Sequence, residues 1–286
     1  MIGTYPNLTE LELADIPLLQ PLFRELRDGM SEMSFAGIYC FRGSHGYRIG
    51  RLADGTLVLQ GADKGVPFFS SPFGLPRPEL LAELFERFST MKLVTETQAA
   101  VLTQAGYVVS EDRDNFDYLY RRESLATLPG RALQKKRNLV HAFERAHAYE
   151  SEAISPERIQ DALTALEAWR ANAADQADYA PAKEALEHSN DFGLEGRIYY
   201  VDRLPVGYAL GEPAASGTMF AVHYEKAVPH MKGLYQLINM DFARSLPESI
   251  TLINREQDLG DEGLRQAKLT YRPCGFVKKF RARRAG

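Results

Sequence analysis

The chain has 286 residues, 45% of them apolar and 25% charged, with a formal net charge of −4 at pH 7. This is the composition of a soluble globular protein of one large domain or two ordinary ones. Its two cysteines, Cys40 and Cys274, exclude a disulfide framework and a CxxC metal pair. No stretch approaches the roughly 18 apolar residues of a membrane span, and the start lacks the basic and apolar regions of a signal peptide. The sequence therefore predicts a cytoplasmic protein.

Positive charge is concentrated in two segments. Residues 121–147 hold seven Lys and Arg against two acids, and residues 272–286 hold six and no acid. The rest of the chain is correspondingly acidic. Basic segments on an acidic body indicate an anionic partner, and solvated helix faces are the alternative interpretation.

The first half of the chain is predicted to contain a β-meander followed by alternating helices and strands. Asp54 and Gly55 form a turn signal between two alternating segments and predict a hairpin, and Gly106 ends a helical pattern. The predicted elements are strands over 47–55, 56–62 and 66–71, a helix over 77–89, a strand over 91–96, a helix over 97–107 and a closing strand over 115–123.

The second half begins with two predicted helices and then repeats this order. Ser155 and Pro156 are an N-cap and first-turn pair, apolar residues follow at helical spacing, and Pro273 stops the last helix. The predicted elements are helices over 155–172 and 181–190, strands over 196–202, 204–212 and 217–228, a helix over 232–246, a strand over 249–254, a helix over 261–273 and a final strand over 275–283.

Both halves thus share a strand-helix-strand-helix-strand run after a meander. No solenoid period produces this pattern, so the expected fold class is mixed α/β with a domain-sized duplication of one unit. The expected domains are an N-terminal unit over 1–128, a basic connecting helix over 129–152 and a C-terminal unit over 153–286.

Three sequence blocks carry a resemblance to a known family: "EDRDNFDYLYRRESLATLPGRALQKKRN", "VHYEKA" and "INREQDLGDEGLRQAKLTYRP". The order of elements resembles the GNAT acyltransferase fold, which occurs in tandem in Fem-type aminoacyl-tRNA-dependent transferases. The blocks themselves look like those of an uncharacterised bacterial family grouped with the C-terminal domain of phosphatidylglycerol lysyltransferases. The resemblance covers nearly the whole chain.

The resemblance implies an acyl or aminoacyl transferase built from two GNAT-like units with a cleft between them. Aminoacyl-tRNA or acyl-CoA would be the co-substrate, and a small molecule or lipid head would supply the accepting amine or hydroxyl. GNAT enzymes hold the coenzyme A pyrophosphate in a glycine-rich turn. In the second unit that place keeps one glycine, Gly233, with His230 and Lys232, and the full motif is not met. In the first unit, Pro78 lacks the N–H that such a turn needs. The alternatives are an acyl-CoA enzyme without tRNA and a non-catalytic protein that binds a small metabolite.

Five consecutive polar residues, 254–258, follow an apolar strand. Because ligands of open α/β sheets bind beyond the carboxyl ends of strands, these side chains are expected at the mouth of the cleft. Glu256 or Asp258 would accept a proton from an attacking amine, or bind the amine as an ammonium. The arginine of this run would hold an anionic donor together with Arg265 and Lys268. A structural ion-pair network or a helix cap is the alternative.

The strand over 217–228 carries charged residues in its middle. Alternation places His223 and Glu225 on one face and Tyr224 and Lys226 on the other. These residues would shape the acceptor pocket, with His223 as the histidine to consider as a base, or they lie on an exposed strand face.

The connecting segment is the most basic part of the chain. If it is helical, Arg131, Lys135 and Asn138 lie along one side, where they would bind phosphates of tRNA or a lipid head. The alternative is that they cover the protein's own acidic surface. The candidate catalytic residues are Glu256, Asp258, Glu225 and His223. The candidate substrate- and donor-binding residues are Asn115, Asp117, Tyr118, Arg131, Lys135, Lys136, Arg137, Asn138, Lys226, His230, Lys232, Gly233, Asn254, Arg255, Arg265, Lys268 and Tyr271. No metal site is expected.

Overall fold

The computed structural model describes residues 2–172 and 178–285. Its chain divides into two compact units, each with one seven-stranded sheet. The first unit comprises the chain up to Asp117, Gln257–Gly260 and the chain from Val277 onward, and the second comprises Tyr118–Glu256 and Asp261–Phe276. The expected mixed α/β fold with a repeated unit is confirmed. The expected domain limits of 1–128, 129–152 and 153–286 stay a prediction.

The first unit pairs an antiparallel meander with a parallel step. Its strands are β1 (Gly3–Thr4), β2 (Arg48–Arg51), β3 (Leu57–Asp63), β4 (Val66–Ser70), β5 (Met91–Val94), β6 (Val108–Glu111) and β14 (Phe280–Arg283), in the sheet order β1-β2-β3-β4-β5-β14-β6. Its α-helices are α1 (Ile16–Arg24), α2 (Phe35–Cys40), α3 (Arg42–His45), α4 (Pro78–Arg87) and α5 (Glu96–Gln104).

Local sequence signals explain two features of this unit. Gly55, in the turn between β2 and β3, adopts φ +91°, a left-handed conformation that glycine tolerates best. Helix α5 begins with a reciprocal capping box, in which the Thr95 side chain accepts from the Gln98 backbone and the Gln98 side chain from the Thr95 backbone. The hairpin turn was predicted from the sequence, whereas the capping box was missed, because Thr95 was expected to lie in a strand.

The second unit has the same arrangement in a larger form. Its strands are β7 (Asp117–Arg121), β8 (Tyr149–Ala153), β9 (Glu195–Val201), β10 (Leu204–Ala214), β11 (Met219–Ala227), β12 (Leu252–Asn254) and β13 (Gly275–Val277), in the sheet order β13-β7-β12-β11-β10-β9-β8. Its α-helices are α6 (Arg122–Thr127), α7 (Gln134–Ala146), α8 (Ile159–Arg170), α9 (Tyr179–Glu187), α10 (Ser189–Phe192), α11 (Leu234–Ser245) and α12 (Glu262–Leu269).

Each sheet contains one parallel step at corresponding places. Strand β4 pairs with β5 in parallel, and β11 pairs with β12 in parallel, whereas the meander strands before them are antiparallel. A helix connects the two strands of each parallel pair, α4 in the first unit and α11 in the second. The duplication predicted from the element order is therefore present in the topology.

Two strand assignments made from the sequence were wrong. The segment expected to close the first repeat forms β7, which pairs with β12 in the sheet of the second unit. The final strand, expected to be continuous, is two strands, of which β14 lies between β5 and β6 in the sheet of the first unit. Alternation marks a segment as a strand, but the sheet edge that receives it depends on packing across the chain.

The core of the second unit lies between its sheet and helix α11. Leu234, Leu237 and Ile238 recur at helical spacing and are fully buried against Phe220 and Tyr199 of the sheet. Among the described residues, no helix is both long and apolar enough to cross a membrane.

Candidate functional site

The candidate site lies in the second unit, where the parallel strands β11 and β12 diverge. They pair only from Met219 with Leu252 to Ala221 with Asn254. Strand β11 then continues to Ala227, while the chain after Asn254 leaves the sheet. Ionisable side chains from both segments meet in this divergence.

A β-bulge in β11 changes the direction of the side chains there. Tyr224 is opposite Leu210 and Val222 is opposite Gly211, so His223 has no partner in the register. The expectation that His223 and Glu225 share a face, which assumed uninterrupted alternation, is therefore wrong. A bulge re-aims side chains in this way and is frequent next to functional sites.

His223 is held between two carboxylates. Its Nδ1 lies 2.8 Å from Glu256 Oε1 and its Nε2 lies 3.1 Å from Glu212 Oε1. Burial by itself lowers the pKa of His223, but the hydrogen bonds and charges of Glu212 and Glu256 outweigh it and raise this pKa to about 10. At neutral pH the ring is therefore an imidazolium that donates a hydrogen bond to each carboxylate.

Glu256 is the most accessible member of this group. Its side chain is 29% exposed, against 6% for His223 and 7% for Glu212. A solute that reaches the divergence of the strands would meet the Glu256 carboxylate before the other two groups. The geometry thus gives one oriented carboxylate backed by a buried positive charge.

The backbone of Glu256 is fixed in an unusual conformation. Its φ is +56°, in the left-handed region that disfavours residues other than glycine. Its N–H donates to Asn254 Oδ1 at 2.7 Å, and its carbonyl accepts from Lys268 Nζ at 3.2 Å and from the Tyr118 N–H at 3.1 Å. Lys268 also donates to the Arg255 carbonyl. These hydrogen bonds hold the backbone of Glu256 in its strained conformation and so fix the direction of its side chain.

Arg255 forms a second charged cluster beside the first. Its Nη2 contacts both carboxylate oxygens of Glu225, at 3.2 and 3.1 Å. The Asn239 amide, with its oxygen turned toward the guanidinium, accepts from Arg255 at 3.0–3.3 Å. Burial disfavours the charged form, but Glu225 keeps the pKa of Arg255 above its ordinary value. Because the Glu225 carboxylate is engaged by Arg255 and is less exposed, Glu256 is the more accessible carboxylate of the two.

Tyr271 lies next to Arg255 and brings Lys136 close to it. The Arg255 guanidinium is 5.1 Å from the centroid of the Tyr271 ring, and Lys136 Nζ is 4.4 Å from the same centroid. Tyr120 packs edge-on against Tyr271, and its hydroxyl donates to the Lys268 carbonyl at 2.8 Å. Two of the predicted binding residues, Lys136 of α7 and Tyr271 after α12, therefore meet beside the diverging strands.

Lys226 belongs to a different set of contacts. Its Nζ lies 4.1 Å from the centroid of the Trp169 ring on α8 and forms an ion pair with Asp178. The carboxylate and the indole satisfy this cation within the unit.

The basic segment divides between exposed and internal side chains. Helix α7 begins at Gln134, so Arg131 precedes it rather than lying on it. Arg131, Lys135 and Asn138 are exposed, whereas Arg137 donates to the backbone carbonyls of Leu128 and Gly130. The exposed residues remain available to an anionic partner.

Gly233 begins helix α11 for a packing reason. Its φ is +95°, and a Cβ built on it would lie 2.4 Å from the Leu139 carbonyl oxygen of α7. Only glycine permits this approach of the two helices. The neighbouring His230 and Lys232 are exposed.

Two predicted residues are fully buried in the first unit. Asp117 is fully buried; its Oδ1 is 2.6 Å from Lys279 Nζ, and its Oδ2 accepts from the Ser31 N–H at 2.9 Å. Asp258, also fully buried, accepts from the Gly260 N–H at 2.9 Å and lies 3.3 Å from Arg113 Nη1. Both carboxylates are engaged in structural contacts.

The remaining predicted residues are less central. Asn115 is half-buried in a short turn of 3-10 helix. Tyr118 is buried, with Lys268 Nζ 5.7 Å from its ring centroid and Phe276 packed edge-on against it. Arg265 is half-buried on α12.

Sequence reasoning missed Glu212 and Asn239. Glu212 ends an apolar strand segment, and Asn239 interrupts an apolar helical run between Ile238 and Met240. An isolated polar residue in a buried element usually has a specific partner, which was the available signal.

Two sheets, each with a meander and one diverging parallel step, define a tandem GNAT-like fold. The chain belongs to the family "Phosphatidylglycerol lysyltransferase, C-terminal", whose model matches residues 23–283. The resemblance inferred from the sequence blocks is confirmed.

Solved structures agree with this assignment. A conserved protein of unknown function from Bacteroides thetaiotaomicron is 30% identical, with a TM-score of 0.86 and coverage of 100% of each chain. L-PGS from Bacillus licheniformis is 15% identical, with a TM-score of 0.64, over 99% of this chain and 94% of that one. FemX shares the fold at 10% identity, with a TM-score of 0.56 over 96% of each chain.

An uncharacterized protein of Mycoplasmoides gallisepticum is 25% identical over 185 residues, which are 60% of this chain. The match spans 57% of the length of that curated relative.

Proposed function

We propose that this protein transfers an acyl or aminoacyl group from aminoacyl-tRNA or acyl-CoA to an amine or hydroxyl acceptor. The observation that carries the proposal is the oriented Glu256 carboxylate at the divergence of β11 and β12. His223 contacts it at 2.8 Å, and the polar contacts around its backbone hold it in a strained conformation. Membership in a family named for a lysyltransferase supports the same reaction class.

Glu256 is the proton acceptor in this proposal. The acceptor nitrogen or oxygen attacks the donor carbonyl carbon and forms the new bond. The proton of the attacking group passes to the Glu256 carboxylate, and the ester or thioester bond of the donor breaks. The leaving oxygen or sulfur then takes up this proton from Glu256, which restores the carboxylate, so that charge and atoms balance.

His223 positions this carboxylate and does not act as the base. Both of its ring nitrogens are occupied, and at a pKa of about 10 it keeps its proton at neutral pH. Its charge would hold the Glu256 oxygens in place while the acceptor binds. Glu225 would orient Arg255 in the same manner, and the buried Asp258 would fix the loop that follows.

Exposed cations would supply the attraction for an anionic donor or for a lipid head. Arg131 and Lys135 are exposed near the start of α7. If the donor is tRNA, its phosphates would release counterions on binding, and affinity would fall steeply as salt rises.

Glu256→Gln tests the proposal. The amide retains the size of the side chain and a hydrogen-bonding oxygen but is not a base, so transfer from charged tRNA or acyl-CoA should fall by about 100-fold or more. The matched variant is Glu212→Gln, which removes the other carboxylate from His223 at a less exposed position. Its transfer rate should fall by less.

Folding and donor binding decide between the alternatives. If Glu256→Gln mainly lowers the melting temperature and leaves transfer intact, Glu256 is a structural partner and the proposal fails. If the wild-type protein consumes neither donor yet is stabilised by a small metabolite, it is a binding protein.

A further inference from the structure

The feature that carries a further inference is the free edge of the first sheet. Strand β6 ends the sheet order and pairs on one side only, with β14. The Asp112 N–H donates to the Lys279 carbonyl at 2.8 Å, so antiparallel alternation turns the backbone groups of Ser110 toward β14 and those of Val109 and Glu111 away from it. Within residues 2–172 and 178–285, which the structure describes, no hydrogen bond is made to these outward groups.

Strand β6 has few of the features that protect an edge strand. It contains neither proline nor lysine, and its register with β14 runs without a bulge. Val108, Ser110 and Glu111 are exposed. An exposed edge with unpaired backbone groups is a template for an added strand, and the charge of Glu111 disfavours an acidic strand there.

A groove lies beside this edge, between helix α5 and the strands β14 and β6. Its volume is about 530 Å³, within the roughly 300–1,000 Å³ of ligand clefts. The short side chains of Ala99, Ala100 and Thr103, at helical spacing on α5, line one side, and Val109 and Phe280 line the other. Because Val109 faces this groove, alternate side chains of a strand added to β6 would enter it.

The charged groups of the groove are mainly acidic. Glu96 of α5 and Glu111 of β6 line it, and Lys278 forms an ion pair with Glu111 at 2.8 Å. The hydrogen bond and charge of Glu111, and then the charge of Glu96, raise the pKa of Lys278, so one ammonium serves both carboxylates. The groove therefore combines apolar walls with one net negative charge.

We propose that β6 and this groove form a docking surface for an extended segment of a partner protein. The segment adds to β6 as an antiparallel strand and carries a basic residue two positions before an apolar residue. The basic residue lies opposite Glu111 and the apolar residue opposite Val109, since the added strand runs from Glu111 toward Val109 and its alternate side chains share a face.

The charge of the edge favours such a partner over a second copy of this chain. Pairing of β6 with itself around Ser110 would place the Glu111 side chains of both copies near each other on one face of the joined sheet, where like charges repel. The surface uses none of the residues of the proposed reaction site, so its test is independent of transfer.

The experiment is a fluorescence-polarisation titration of the full chain with the labelled, end-blocked peptide Thr-Arg-Thr-Val-Thr-Arg-Thr. N-methylation of the valine removes an N–H that would bond to β6 and should weaken binding about tenfold or more. N-methylation of the threonine after it, whose N–H faces away from β6, should change affinity less than twofold. A peptide with glutamate in place of both arginines should bind about tenfold more weakly or worse.

Variants of the protein supply the complementary test. The double variant Glu96→Gln, Glu111→Gln should weaken binding of the first peptide about tenfold, whereas Glu79→Gln, Glu83→Gln, at exposed positions of α4, should change it less than twofold. The proposal is overturned if the first peptide does not bind, if N-methylation of its valine is tolerated, or if the two double variants bind alike. It is also overturned if the protein sediments as a dimer that Val109→Pro dissociates, which would assign the edge to a second copy.

Discussion

At the scale of single residues, the site depends on buried charges that satisfy one another. His223 lies between Glu212 and Glu256, and Glu225 pairs with Arg255. The sequence identified four of these five residues because polar residues after an apolar strand, and charges within a strand, are unusual. It did not identify their pairing, which depends on a bulge in β11 and on the left-handed conformation of Glu256.

The raised pKa of His223 predicts a pH-dependent stability. The imidazole is protonated in the folded protein up to about pH 10 and in the unfolded chain only up to about 6.5. Its contribution to the free energy of unfolding, on the order of 5 kcal/mol, should be fully present below pH 6.5 and lost as pH rises through 10. Denaturant melts between pH 6 and 10 measure this slope.

His223→Gln should flatten the slope, and the exposed His141→Gln should leave it unchanged. Equal slopes in wild type and His223→Gln would show that the ring is not an imidazolium in the folded state.

At the scale of elements, helices and turns followed from local chemistry more reliably than strand partners did. The hairpin at Gly55 and the end of α5 near Gly106 follow from residue types whose conformational preferences are intrinsic. The start of α11 could not be predicted in this way, because glycine is required at position 233 by the close approach of Leu139 of α7. A glycine that suggests a phosphate turn by sequence therefore has a packing role in the structure.

Gly233→Ala should destabilise the protein by more than the left-handed backbone alone explains. An alanine at φ +95° costs about 1–2 kcal/mol, and its Cβ would also clash with the Leu139 carbonyl. Gly217 is the matched control, because it has φ +81° with open space around the added methyl. Urea unfolding should show a larger loss for Gly233→Ala than for Gly217→Ala, and equal losses would contradict the packing role.

At the scale of the whole molecule, the chain builds each sheet from distant segments. The last strand, β14, lies between β5 and β6 of the first unit. Lys279, directly before this strand, forms ion pairs with Asp117 and Glu32. Burial disfavours the ammonium, but the two carboxylates raise the pKa of Lys279. The C-terminal strand is therefore held in the sheet by the buried ion pair of Lys279 with Asp117.

Lys279→Met should cost about 3–5 kcal/mol, because it leaves the Asp117 carboxylate buried without its partner. The adjacent Lys278 is the control, since its pair with Glu111 is about half-exposed and screened by water, and its loss should change stability much less. Denaturant unfolding of Lys279→Met and Lys278→Met gives the comparison. A loss below about 1 kcal/mol for Lys279→Met would show that the buried network does not anchor β14.

The sequence by itself determined the element types, the duplication and the family, because these depend on local periodicity, turn chemistry and short blocks of residues. Only the tertiary structure decided which sheet receives β7 and β14, and which charges pair. Those outcomes depend on contacts between residues far apart in the chain, such as Asp117 with Lys279, and no local pattern encodes them.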